Sequence, residues 1–213
     1  MSHTALHQPT REELTALITR PVSPRLKQVS LALAALGFVI FLAGVFTGED
    51  RAWLAWHINW LFFTVIASAG VVLSAVQRIT TARWSLAIIR LSEANVAFLP
   101  VAFVMLLVTI LAGKGHIFPW THEPPTQPEK ALWLNPMFWS VRGIVAFGLI
   151  TTISLWFVYT AVRLDVGVLP EWGAKWAQGI RDRMRAGFGD ERRELHSTHS
   201  LQGRLAVVLA LVF

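Results

Sequence analysis

The sequence contains no cysteine and few charged residues. Without cysteine the chain can have no disulfide, no thiolate metal site, no iron–sulfur ligand and no covalently attached c-type haem. Charged residues make up 15% of the 213 residues, whereas 54% are hydrophobic and ten are tryptophan. Soluble domains of this length carry more charge, so the composition excludes that class. We predict a polytopic integral membrane protein instead.

The apolar residues fall into blocks of about twenty, long enough to cross roughly 30 Å of hydrocarbon. Four blocks predict membrane-spanning helices at residues 29–46, 53–77, 94–113 and 143–162. Pro100 lies inside the third and predicts a bend there. A fifth apolar segment starts at Leu205 and reaches the last residue, Phe213, after about 14 Å. We therefore expect part of a longer chain, with an all-α fold: a four-helix transmembrane bundle (residues 28–163) plus the start of a fifth helix (205–213).

The segments outside the bundle suggest helices that lie on a membrane surface. In the N-terminal tail, residues 1–27, the spacing of Thr10 and Glu13 is that of a capping box, which predicts a short helix at 11–19. In the basic segment 164–204, large apolar residues recur every four positions among arginines and lysine, which predicts an amphipathic helix in the interface plane. These apolar residues are Trp172, Trp176, Ile180 and Met184.

The positive charge is distributed unevenly between alternate connecting segments. Of the 19 lysines and arginines, four lie on one side of the predicted membrane: Arg51, Lys114, Lys130 and Arg142. All the others lie on the opposite side, which the positive-inside rule makes cytoplasmic. This predicts a protein of the bacterial inner membrane with a cytoplasmic N terminus and an outer loop at 114–139. Because the charge follows topology, the net charge of +6 does not indicate nucleic-acid binding.

Polar side chains recur along one face of the second predicted helix. His57, Thr64 and Ser68 lie near that face, and the pairs Thr64–Ser68 and Gly70–Ser74 have the small-xxx-small spacing that lets helices approach closely. One interpretation is a face that packs against a neighbouring helix, with the hydroxyls bonded to their own backbone. The other is a quinone pocket or a proton path that includes His57.

Glu93 and Asn95 lie where the chain is predicted to re-enter the membrane behind Arg90. Glu93 would be favoured there as a carboxylate near a helix N terminus, paired with Arg90 three residues earlier. The functional alternative is a proton-loading group at the cytoplasmic mouth of a path. We predict His57, Thr64, Ser68, Glu93 and Asn95 as candidates for quinone binding or proton transfer.

The outer loop is rich in proline, tryptophan and histidine and predicts a rigid docking surface for an extramembrane partner. The candidate residues are His116, Trp120, His122, Asn135 and Arg142. Arg142 either extends to the membrane surface or anchors a carboxylate of the partner. His116 and His122 are six residues apart without further ligands at helpful spacing, so a metal site is the weaker alternative. The sequence contains no nucleotide-binding loop, nucleophile triad or carboxylate pair.

An ordered set of residues resembles the ActF subunit of alternative complex III, a bacterial quinol:electron-acceptor oxidoreductase. The set comprises Arg78, Trp84, Arg90, Glu93, Leu99-Pro100, Trp120-Thr121-His122, Leu134-Asn135-Pro136, Phe138 and Arg142. The resemblance covers residues 50–165 well. It implies an all-helical protein similar to the polysulfide-reductase/NrfD membrane subunits, built around four-helix bundles. Such subunits have about ten helices, of which this chain would supply the first bundle and the start of the second. It also implies that haems and iron–sulfur clusters lie only in partner subunits.

Two functions follow as expectations. The first is a transmembrane subunit of a respiratory or photosynthetic electron-transfer complex, without a redox centre and not catalytic alone, that supports quinone binding or proton transfer. Its partners would be other membrane subunits, periplasmic cytochrome or iron–sulfur subunits, lipids and possible quinone or quinol, with no nucleic acid. The second is a purely structural docking subunit derived from a truncated relative. A transporter is weaker, because its inverted repeat cannot show within one bundle.

Overall fold

The computed structural model describes residues 23–82, 86–123, 125–168 and 177–213, and these residues are helical with no strand among them. The helices are α1 (Pro24–Phe46), α2 (Asp50–Ile79), α3 (the continuous helical residues 86–117), α4 (Pro128–Trp133), α5 (Pro136–Val168), α6 (Gln178–Arg185) and α7 (Glu191–Val212). Four stretches within these are long and apolar enough to cross a membrane: Pro24–Phe46, Asp50–Ile79, Ile88–Ile117 and Pro136–Gly167. The predicted number and positions of long apolar helices are therefore confirmed.

The helices extend beyond the predicted apolar blocks at most of their ends. The block at 143–162, for example, lies inside α5, which begins at Pro136 and ends at Val168. The fifth apolar segment is likewise the second half of α7, which begins at Glu191. Apolar blocks mark only residues suited to hydrocarbon, whereas backbone hydrogen bonding continues the helix into polar sequence.

The helix α3 changes its winding on the N-terminal side of Pro100. Residues Asn95–Phe98 form a 3-10 turn between the α-helical segments Leu86–Ala94 and Leu99–Val108. Proline lacks the N–H that would bond the carbonyl four residues earlier, which is that of Val96. The N–H of Leu99 donates to this carbonyl instead. The tighter turn thus supplies the hydrogen bond that the proline cannot make to this carbonyl.

The core is formed by α2, α3, α5 and α7, and α1 lies outside it. The buried apolar cluster takes its members from these four helices: Ala67, Val71, Ala75, Val96, Leu99, Phe157, Val158, Leu205, Ala206 and Leu209. No residue of α1 is buried, and α1 packs on α2 through Phe41, whose ring lies 5.4 Å from Trp53 and 4.6 Å from Trp56. Helix α7 therefore contributes to the core of the described residues, whereas α1 packs on its outside.

The two ends of the bundle differ in chemistry. At the charged end, defined by Arg78, Arg90, Glu93 and Asp165, the helices α2, α3 and α5 carry ionisable side chains. At the aromatic end, defined by Trp53, His57, His116, Phe118, Trp120 and Trp139, rings from α2, α3, α5 and the 114–139 segment contact one another.

Two surface helices were predicted from the sequence. The helix at 11–19 lies outside the described residues, as do Trp172 and Trp176. The remaining apolar residues of the amphipathic pattern, Ile180 and Met184, lie on α6. The helix is present there, over a shorter described length than the pattern suggested.

Candidate functional site

Glu93 is the most deeply buried ionisable side chain at the charged end, with 1% of its surface exposed. Its Oε1 accepts a hydrogen bond of 2.9 Å from the hydroxyl of Ser74 on α2. Its Oε2 lies 2.5 Å from Nη1 of Arg90, one turn earlier on α3. The predicted pairing of Glu93 with Arg90 is therefore present. Each carboxylate oxygen has a partner, as a buried charge requires.

Arg90 also connects this pair to α5. Its Nη2 lies 2.9 Å from Oδ1 of Asp165 and 3.4 Å from the carbonyl oxygen of Ala161. The Asp165 side chain is 31% exposed, whereas that of Glu93 is 2% exposed. One guanidinium thus bridges a buried carboxylate and a partly exposed one, and it links α3 to α5 while Ser74 links α2 to α3.

Sequence reasoning missed Asp165. We identified Glu93 as the acidic residue at the edge of a membrane segment and ended the fourth helix at residue 162. The helix continues to Val168, and this continuation places Asp165 beside Arg90. The sequence signal for Asp165 was its spacing in a helix: it follows Ala161 by one turn, so both residues lie on the same face of α5.

Arg78 belongs to the same electrostatic environment. It lies near the end of α2 and interacts electrostatically with Glu93, Arg90 and Asp165. Its Nε is buried and makes no hydrogen bond within the described part of the chain. The charged end therefore holds two arginines and two acidic residues, which are balanced in formal charge.

The small residues of α2 produce a close approach to α3. A Cβ placed on Gly70 would lie 2.6 Å from the carbonyl oxygen of Ser92 and 2.9 Å from Nδ2 of Asn95. Asn95 uses that amide to donate to the carbonyl oxygens of Leu91 and Ser92. The Gly70–Ser74 pair thus lies at a helix contact, as its spacing predicted. The hydroxyl of Ser74 bonds Glu93, however, rather than its own backbone.

Several further buried polar atoms of the bundle make no hydrogen bond within the described residues. They lie on α2, α5 and α7: Thr64 Oγ1, Gln77 Oε1, Thr151 Oγ1, Ser154 Oγ and Gln202 Nε2. Buried polar atoms in native proteins are normally bonded to protein or to internal water. Thr64 is buried at 8% exposure, and Ser68 is half-buried one turn further along α2.

His57 lies at the opposite end from Glu93. It is 17 residues before Ser74 on α2, which corresponds to about 25 Å along a helix. Its ring stacks on Trp60 at 5.3 Å and meets the edge of Phe118, also at 5.3 Å. Its buried Nδ1 makes no hydrogen bond within the described ranges. The quinone or proton-path candidates therefore divide between two separate locations.

Two indole N–H groups of α2 form hydrogen bonds with α3 at the aromatic end. Nε1 of Trp56 donates to the hydroxyl of Thr109 at 3.1 Å, and Nε1 of Trp60 donates to the carbonyl oxygen of Ala102 at 2.8 Å. Thr109 begins a π-helical turn, Thr109–Gly113. These tryptophans therefore act within the bundle by linking α2 to α3.

The predicted docking histidines and Trp120 are tied to their own chain. Nδ1 of His116 lies 2.7 Å from Oδ1 of Asp50, and Nε2 of His122 lies 3.1 Å from the carbonyl oxygen of Gly115. Trp120 packs against Trp139 with ring centroids 5.6 Å apart. No group of three potential metal ligands occurs in the described residues.

Asn135 and Arg142 shape the start of α5. Oδ1 of Asn135 accepts hydrogen bonds from the N–H groups of Met137 and Phe138, at 3.0 and 3.2 Å, which is the N-cap arrangement. The Arg142 guanidinium lies 3.8 Å above the ring of Trp133, a cation–π contact. Both side chains thus stabilise the local fold, and the exposed surface nearby consists of Trp133, Met137 and Phe138.

Comparison with known proteins supplies no relative: no protein-family model matches the chain, and no curated protein is significantly similar to it.

Proposed function

We propose that the chain is a multi-pass subunit of a bacterial inner-membrane complex that oxidises quinol, and that its charged end takes part in proton transfer from the cytoplasmic side. The chain itself carries no redox centre in this proposal. Haems and iron–sulfur clusters belong to partner subunits that dock at the aromatic end. The family part of the proposal rests on the resemblance to ActF described above.

The observation that carries the proton-transfer role is the shared guanidinium of Arg90. It bridges Asp165, which reaches solvent, and Glu93, which does not. A proton delivered to Asp165 weakens its pairing with Arg90, because only the ionised carboxylate attracts the guanidinium. Arg90 then pairs more fully with Glu93 and favours its ionised form, so the protonation states of the two carboxylates are coupled through one cation.

Polar atoms continue from this cluster into the bundle. Thr64 lies ten residues before Ser74 on α2, about 15 Å along the axis, and has a buried oxygen without a hydrogen bond in the described residues. Ser154 and Thr151 supply similar oxygens from α5. Internal waters at such groups would conduct protons between Glu93 and the region of His57. Their burial inside a bundle of apolar helices favours a functional role over simple solvation.

A structural docking subunit is the second candidate, and a specific observation favours it. The contacts of Ser74, Glu93, Arg90 and Asp165 tie three helices together, which an architectural role would also need. The predicted docking residues contact other residues of this chain. The two candidates differ in what happens when charge is removed without disturbing assembly.

Removing the acidic charges distinguishes the proton-transfer role from the structural role. The variants Glu93→Gln and Asp165→Asn keep the shape of each side chain, and His57→Ala tests the opposite end. In complexes isolated from native membranes, we expect Glu93→Gln to lower quinol turnover at least about tenfold with the subunits still assembled. Asp182→Asn, an exposed residue of α6, is the matched control and should leave turnover unchanged.

If quinol turnover were unchanged in assembled Glu93→Gln and Asp165→Asn complexes, proton transfer would be contradicted and the structural role would remain. Isolation of the chain with partners that hold no haem or iron–sulfur centre would contradict membership of an electron-transfer complex. A tag on the chain and a cryo-EM map of the isolated complex identify those partners directly.

A further inference from the structure

An apolar groove runs along the surface of α5 near the charged end. Its volume is about 460 Å³, and its walls include Val96 of α3, Met184 of α6 and the α5 side chains Leu155, Tyr159 and Val162. Leu155 and Val162 are seven residues apart, so the groove follows α5 for about 10 Å. Trp156 and Tyr159 are 51% and 45% exposed at its edge. The groove is therefore open to the surroundings of the bundle.

A polar pocket adjoins this groove on the other side of the same aromatic residues. It has a volume of about 170 Å³ and is shared between α5 and α7. Trp156 and Tyr159 line both spaces, and Arg163, Glu194 and Ser197 line only the polar one. Polar side chains of α5 and α7 therefore lie next to the apolar groove.

The helix α6, which contributes Met184 to the wall of the groove, is positively charged. Its eight residues include three arginines and one acidic residue, Asp182. Nε of Arg163 donates to the carbonyl oxygen of Met184 at 3.1 Å and so fixes α6 against α5. Arg183 and Arg185 are exposed on either side of Met184. Arginine forms strong charge-assisted hydrogen bonds with phosphate, so the charge of α6 complements an anionic head group.

We infer that this groove binds an anionic phospholipid, with an acyl chain along α5 between Leu155 and Val162 and the phosphate beside Arg183 and Arg185. The head group is held where α6 meets the membrane surface, in the manner of basic sites on the cytoplasmic side of helix bundles. This inference rests on the membrane insertion proposed above, and it is independent of proton transfer and of quinol oxidation.

Native mass spectrometry of the purified full-length chain tests the inference. The chain is equilibrated in detergent with equal amounts of phosphatidylglycerol and phosphatidylcholine, and the retained lipids are counted. We expect the wild-type chain to retain phosphatidylglycerol preferentially. Arg183→Gln with Arg185→Gln should lower that preference about tenfold. Arg192→Gln with Arg193→Gln removes the same charge from the exposed start of α7 and should leave the preference unchanged.

The groove itself is tested with Val162→Trp, which fills it without changing charge. This variant should lose the retained phosphatidylglycerol while its thermal unfolding in detergent stays cooperative. Leu155→Trp provides a second variant at the other end of the groove if the first does not fold. The inference would be overturned if both arginine pairs lowered the preference for phosphatidylglycerol equally, or if the wild-type chain retained the two lipids equally. Displacement of a quinone rather than a phospholipid from the groove would also overturn it. Failure of the chain to enter membranes would instead contradict the proposed function.

Discussion

At the scale of single residues, the charged end depends on Arg90. Three acceptors share its guanidinium: the carboxylates of Glu93 and Asp165 and the backbone carbonyl of Ala161. Because Glu93 is almost completely buried, its negative charge cannot be stabilised by solvent if the guanidinium is removed. A buried pair that loses one partner is destabilised far more than a pair that loses both.

Replacing Arg90 with alanine should therefore lower the free energy of unfolding by about 2 kcal/mol, below the full cost for a buried pair because Arg90 is partly exposed. The measurement is unfolding of the purified chain in detergent or bicelles. Combining Arg90→Ala with Glu93→Gln should recover part of the loss, since the uncompensated charge is then gone. Arg51→Ala, at an exposed arginine near the aromatic end, is the control. Equal losses for Arg90→Ala and Arg51→Ala would contradict this account of Glu93.

At the scale of helices, α2 and α3 approach each other closely where a side chain is absent. The backbone of α3 at Ser92 occupies the space that a Cβ on Gly70 would need. Ser74 follows one turn later and donates its hydroxyl across the same contact to Glu93. The close approach at Gly70 thus brings the hydroxyl of Ser74 within reach of the carboxylate.

A Cβ at residue 70 should force α2 and α3 apart. We expect Gly70→Ala to lower the free energy of unfolding by about 2 kcal/mol, because the colliding atom belongs to the backbone and cannot rotate away. Gly143→Ala in α5 is the matched control, since nothing lies within 4 Å of the position where its Cβ would be. There alanine should be neutral or stabilising by up to about 1 kcal/mol through its helix propensity. Similar unfolding curves for the two variants would refute the close contact at Gly70.

The sequence predicted these helices better than it predicted their contacts. Long apolar blocks identify membrane-type helices because the backbone must be satisfied within each segment. The pairing of Arg90 with Glu93 could be predicted because it lies within one helix. The pairing with Asp165 could not, since it depends on how α5 packs against α3, and no apolar block extended as far as Asp165. Asn135 was predicted as a docking residue, whereas its backbone contacts show a local N-cap that the sequence Asn135-Pro136 could have indicated.

At the scale of the whole molecule, the order of helices along the chain differs from their order in the core. The most N-terminal described helix, α1, contributes no buried residue, whereas α7 contributes Leu205, Ala206 and Leu209. α7 packs between α2 and α5. Periodicity could not reveal this arrangement, because α1 is strongly apolar and α7 begins with a polar half. Helix α1 is thus as apolar as the long apolar stretch of α3, yet it is the least buried of the four.

Alanine substitutions of one buried leucine in α7 and one exposed leucine in α1 test this arrangement. Leu209 of α7 is 0% exposed and Leu33 of α1 is 63% exposed. Leu209→Ala should lower the free energy of unfolding by about 3 kcal/mol because it leaves a cavity in the core. Leu33→Ala should change it by less than about 0.5 kcal/mol. Both variants are compared with wild type by the same detergent unfolding assay. A larger loss for Leu33→Ala would place α1 in the core and α7 outside it.

The order in which the charged cluster is completed has a consequence for biogenesis. Ser74, Arg90 and Glu93 belong to α2 and α3, so the ribosome makes them well before Asp165. Arg90 and Glu93 pair within one turn of the same helix, so the Glu93 carboxylate has its charged partner before α5 is made. When α5 follows, Asp165 meets a guanidinium that is already oriented by Glu93. Helix α5 thus adds a second carboxylate to an ion pair that α3 already contains.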